Sequence, residues 1–108
     1  MEIELLYTED CPWYQTVLKY LEEIVKEKKL DIPVKMLKIK SDDDAVKHRF
    51  TGSPTARVNG QDIDPAAQEK EIVSMGCRLY LEGDKISNLP SKEMIRRAIE
   101  SYIQGTSN

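Results

Sequence analysis

The sequence predicts an α/β fold in which a mixed β-sheet is flanked by helices. Three observations carry this. A short apolar run, Ile3 to Tyr7, passes through Thr8-Glu9-Asp10 directly into a segment with apolar residues at helical spacing. A second apolar run, Ile32 to Ile39, follows that segment, so the three form a βαβ unit with parallel strands and a right-handed crossover. Further on, Ala56-Arg57-Val58 and Gln61-Asp62-Ile63 flank Asn59-Gly60, the strongest local signal for a two-residue hairpin turn, and hairpin strands are antiparallel.

The first helix is expected from about Pro12 to Lys28. Tyr14, Val17, Leu18, Leu21, Ile24 and Val25 fall on one stripe, while Glu22, Glu23, Lys26 and Glu27 lie mostly on the other face. Thr8 or Asp10 can cap it, and Pro12 suits the first turn because it has no N–H to leave unpaired. In the second run the apolar phase changes once, which predicts a bend or an exposed flank near Leu37. Ser41 can cap a short helix through about Phe50, with Val46 and Phe50 as its apolar contacts and Asp42, Asp43 and Asp44 at the positive end of the helix dipole. The three aspartates lack the alternating ligands, turn glycine and distal glutamate of a calcium loop, and His48 reads as solvated.

After the hairpin, Asp64-Pro65 predicts a short helix to about Val73, broken at Met75-Gly76. Cys77 to Leu81 alternates and reads as an edge strand, followed by a turn at Gly83-Asp84. Ser91 caps a last helix striped by Met94 or Ile95, Ala98, Ile99, Tyr102 and Ile103. Gly105 is expected to end it, and residues 106–108 to form a frayed tail.

A chain of 108 residues is enough for one domain with one core. A net charge of −3 leaves no basic footprint, which argues against nucleic acid as a partner. No apolar run approaches the ~20 residues of a membrane helix, and the acidic start Met1-Glu2-Ile3-Glu4 is unlike a signal peptide. The expected compartment is therefore the cytoplasm, where the two cysteines would be kept reduced rather than form a structural staple. With a single histidine beside them they cannot make a four-ligand zinc site, and no cofactor is expected.

Cys11 stands where a strand gives way to a helix. The free N–H groups and partial positive charge of a helix N-terminus favour a thiolate, the reactive form of cysteine. Glu9 and Asp10 oppose it as like-charged neighbours. The competing reading of Cys11 is a small buried hydrophobe. Trp13 beside it is either a docking surface for substrate or a cover for the helix end.

Cys11-Pro12-Trp13-Tyr14 at a strand–helix turn, followed by Phe50-Thr51-Gly52-Ser53-Pro54-Thr55 and the Asn59-Gly60 hairpin, resembles the thioredoxin-like superfamily, glutaredoxins included. Within it the chain is similar to small thioredoxin-like proteins sometimes called DF-family (seleno)proteins, some of which carry selenocysteine where Cys11 stands. They share the Cys-Pro start, Gly-Ser-Pro-Thr, Asn-Gly-x-Asp-Ile and a segment like Gly76-Cys77-Arg78-Leu79-Tyr80. The resemblance implies a thioredoxin-like mixed sheet, Cys11 as nucleophile, and Ser53-Pro54-Thr55 as a cis-proline segment lying against it. Pro12, Trp13, Ser53, Pro54 and Thr55 would then bind substrate.

The chain departs from the family's Cys-x-x-Cys motif at Tyr14, which cannot resolve a mixed disulfide. A lone nucleophile needs a second thiol: glutathione, a partner protein, or Cys77, which the hairpin returns toward the Cys11 end of the sheet. Against that role, Cys77 could simply be packed at the start of an edge strand. Two functions follow as expectations. One is a thiol–disulfide oxidoreductase acting on protein or small-molecule thiols and disulfides. The other is a thioredoxin-like binding module without catalysis.

Overall fold

The computed structural model describes residues 1–67 and 73–105. The elements are β1 (Ile3–Tyr7), α1 (Tyr14–Glu27), β2 (Val34–Lys38), α2 (Asp42–His48), β3 (Thr51–Ser53), β4 (Thr55–Val58), β5 (Gln61–Asp62), a 3₁₀ turn (Pro65–Ala67), β6 (Ser74–Cys77), β7 (Tyr80–Glu82), β8 (Lys85–Ser87) and α3 (Lys92–Gly105). The main sheet has the order β2-β1-β4-β5, with β3-β6 and β7-β8 as two-stranded pairs. β1 is parallel to β2 and antiparallel to β4, and β4 is antiparallel to β5, so the sheet is mixed.

Paired residues share a face of a sheet, and β1 is apolar on both. Ile3 and Leu5, with Ala56 and Val58 from β4, bury against Val17, Leu21, Ile24 and Val25 of α1 and Ile95 and Ile99 of α3. On the opposite face Leu6 packs with Ile39, Ala45 and Phe50, around α2. Each fully buried aliphatic side chain contributes about 1.5–3 kcal/mol relative to exposure. This two-sidedness explains the phase change in the second run. Met36 is in register with Leu5, and Leu37 is in register with Leu6. The pairing runs unbroken from Val34 to Lys38, so of the two expectations near Leu37 the bend is absent and the exposed flank is present, with Met36 38% exposed.

Helices α1 and α3 are tied at the surface by Lys92 to Glu23, Arg96 to Glu27 at 2.8 and 2.9 Å, and Lys28 to Glu100 at 2.7 Å. The partners advance together along both chains, so the helices run in the same direction. Hydrogen bonds from Lys92 and Arg96 hold the Glu23 and Glu27 carboxyls below their ordinary range. Pairs this exposed orient the helices more than they stabilise them.

The serine caps form as expected. Ser41 Oγ accepts from Asp44 N–H and Ser91 Oγ from Met94 N–H, both at 3.1 Å. The hairpin turns on Asn59 (φ 53°) and Gly60 (φ 80°), the two left-handed positions of a type I′ turn. Other expectations need correction. The second helix stops at His48 because Arg49 is left-handed (φ 52°). Its buried contact is Ala45, while Val46 is 64% exposed. The run Cys77–Leu81 is two strands, not one, because the backbone N–H of Arg78 leaves the β7 direction to donate to Ser53 O at 3.0 Å. Most of the helix expected from Pro65 to Val73, and the tail at 106–108, lie outside the described residues. No helix among the described residues is long and apolar enough to cross a membrane.

Candidate functional site

β1 ends at Tyr7 and α1 begins at Tyr14, two residues later than expected, with Trp13 at the N-cap position. Trp13 has no side-chain oxygen to cap with, and neither Thr8 nor Asp10 caps in its place. The intervening turn is closed by Cys11 N–H, which donates to Thr8 O at 3.1 Å. Cys11 is only 7% exposed, whereas Trp13 next to it is 36% exposed and Pro12 lies open to solvent. Tyr14 stacks on Tyr7, with ring centroids 4.2 Å apart and planes 21° from parallel.

A second segment reaches this turn from β3. Ser53 is 1% exposed, and its Oγ accepts the Thr8 N–H at 3.1 Å. The Ser53–Pro54 peptide is cis. Thr55 Oγ1 donates to Gly52 O at 2.6 Å, which closes the loop on itself. β3 pairs in parallel with β6, and there Ser53 stands opposite Cys77. Ser53 is thus in contact with the turn of Cys11 on one side and with Cys77 on the other. Both thiols are free; Cys11 is buried and Cys77 is exposed.

Three residues that sequence reasoning did not single out brace this arrangement. Arg78 donates twice to Asp62, at 2.6 and 2.7 Å, and once to Thr55 Oγ1 at 3.2 Å. Its guanidinium lies 4.2 Å from the centroid of the Tyr80 ring. The Tyr80 hydroxyl in turn donates to Pro54 O at 2.6 Å. Burial alone would draw the Arg78 guanidinium down, but the hydrogen bonds to Asp62 together with the charges of Tyr80, Asp62 and Asp64 hold it above the usual arginine range. Burial pushes the Tyr80 phenol well above its ordinary range, against the opposing pull of Arg78.

Arg78 and Tyr80 lie in the alternation of Cys77 to Leu81, whose inward side is the opposite of what hydrophobicity suggests, and Asp62 carries no such pattern. Arg78 and Tyr80 are buried, and Leu79 and Leu81 are both more than 60% exposed.

Among the described residues no group of three or more His, Cys, Asp or Glu side chains is placed to hold a metal ion. In comparisons with family models, curated proteins and solved structures, nothing matches this chain.

Proposed function

We propose that the chain is a thiol redox protein of thioredoxin-like architecture, a thiol–disulfide oxidoreductase with Cys11 as nucleophile and Cys77 as resolving thiol. The observation that carries this reading is the double role of Ser53, which accepts a hydrogen bond from Thr8 in the Cys11 turn and faces Cys77 across the β3–β6 pair. The strand order β2-β1-β4-β5, with its parallel and antiparallel neighbours, supports the fold that the sequence resemblance implies. In the reaction, the Cys11 thiolate attacks a substrate disulfide, whose S–S bond breaks and releases one thiolate. The Cys77 thiolate then attacks Cys11 sulfur and releases the second. Substrate is reduced to two thiols, the two cysteines are oxidised to one disulfide, and their protons pass to solvent or product. A reducing compartment such as the cytoplasm would return the pair to thiols. Exposed Pro12 and Trp13, with the Ser53-Pro54-Thr55 loop, would form the docking surface.

The burial of Cys11 favours one competing reading, a binding module in which the thiol is only packed. Timed alkylation followed by mass spectrometry separates the two. The oxidoreductase reading expects Cys11 to react ahead of Cys77, and mild oxidation to yield a Cys11–Cys77 link absent from Cys11→Ser and from Cys77→Ser. A Cys11 that stays inert in the folded protein would leave the binding module.

A further inference from the structure

Residues 77–80 and the Ser53-Pro54-Thr55 loop are joined by more polar contacts than a strand pair requires. Every backbone carbonyl from Gly52 to Pro54 has a donor: Thr55 Oγ1 on Gly52 O, Arg78 N–H on Ser53 O, and Tyr80 hydroxyl on Pro54 O. Two of these donors follow Cys77 by one and three positions. Arg78 is held from the far side by the bidentate contact with Asp62 on β5, and its carbonyl accepts from Asn88 Nδ2 at 3.1 Å. A buried guanidinium is expensive to desolvate and is a poor choice if stability alone were the purpose. It does, however, set direction: a bidentate pair has one geometry, and here that geometry fixes the backbone next to Cys77.

Resting on the proposed roles of Cys11 and Cys77, we propose that Arg78, locked by Asp62 and backed by Tyr80, is a positioning residue that holds Cys77 at the Cys11 turn and so accelerates the resolving step selectively. A thiol held at a reacting centre acts at a far higher effective concentration than one on a loose segment. The first attack depends on Cys11 and incoming substrate, and the bidentate contact of Arg78 with Asp62 touches neither. Loosening the lock therefore slows resolution while leaving the initial attack in place.

The test follows thiolate release from equimolar dithiobis(nitrobenzoate) by stopped flow, in the full chain. The parent should release one thiolate at the rate seen in Cys77→Ser, and a second in a later phase that Cys77→Ser lacks. Asp62→Asn should keep the first rate within about twofold and slow the second by about 10- to 100-fold. A loss of folding alone would expose the buried Cys11 thiol and raise the first rate, unlike the retained first rate expected here. Should Asp62→Asn fail to fold, Asn88→Ala replaces it, since it removes the Asn88 Nδ2 bond to Arg78 O and no contact of the docking loop, and the same fall in the ratio of second to first rate is expected. An unchanged ratio in the folded variants, with both phases present in the parent, overturns the positioning role alone. A parent without a second phase, or a Cys11→Ser variant as fast as the parent, overturns the redox reading and the positioning role with it.

Discussion

The backbone N–H of Thr8 donates to the side-chain oxygen of Ser53 at 3.1 Å, and both residues are buried. This bond joins the end of β1 to the loop that carries Pro54, and so joins the Cys11 turn to the strand pair that carries Cys77. Ser53→Ala leaves the Thr8 N–H without that acceptor in the interior. A destabilisation of about 1–3 kcal/mol is expected, from the cost of an unsatisfied buried donor. Urea unfolding measures it, and a change within experimental error would mean that the Cys11 turn does not depend on Ser53.

Gly52 allows β3 and β6 to approach each other. It has φ +120°, and a Cβ there would lie 3.1 Å from Arg78 Cβ and 3.2 Å from Gly76 O. The backbone conformation strains any side chain there, and the neighbours would have to give way by a few tenths of an ångström to admit one. Gly52→Ala should cost on the order of 1–3 kcal/mol and shift β6, so the alkylation rate of Cys77 should change along with stability. An alanine variant with parental stability would show that the two strands can separate freely.

The Asp62–Arg78 pair should display the asymmetry of buried ions. Arg78→Met leaves the Asp62 carboxylate in the interior without its guanidinium, and a loss of about 3–5 kcal/mol is expected. Asp62→Leu combined with Arg78→Met removes both charges and should cost less than the sum of the single changes, by about 0.5–3 kcal/mol. Urea unfolding of the four proteins closes the cycle. Simple additivity would mean that the two side chains do not hold each other in solution.

What could be read from the sequence depended on how local its signal was. The α1 stripe from Val17 to Val25, the caps at Ser41 and Ser91, and the Asn59-Gly60 turn all involve residues within a turn or two of each other, and all appear in the fold. The start of α1 was displaced because Pro12 fits a first helical turn, yet the Cys11 turn closes on Thr8 instead. β3 and β8 are three residues each, too short to carry a period, and they exist through their partners β6 and β7. Cys11 could be singled out from its place between a strand and a helix, whereas the Ser53-Pro54-Thr55 loop could be reached only through the resemblance to the thioredoxin-like superfamily. Asp62 and Arg78 could not, since a charged side chain reads as solvated until its buried partner is known, and here the partner lies on another strand.

Tyr80 gives the fold a defined response to alkali. An ordinary phenol loses its proton near pH ~10, and burial holds Tyr80 well above that. In the unfolded chain Tyr80 therefore ionises first, the unfolded state binds fewer protons, and stability falls as pH rises. The contribution is whole below about pH 10 and declines above it, by at most about 1.4 kcal/mol per pH unit for one group. Urea midpoints from about pH 9 to 11.5 should show this decline in the parent. Tyr80→Phe should lose about 1 kcal/mol at neutral pH with the bond to Pro54 O. Its alkaline slope should nevertheless be shallower, so the two stability curves approach each other as pH rises. Parallel curves would show that the phenol ionises alike in both states, and the buried position of Tyr80 behind the Pro54 loop would have to be abandoned.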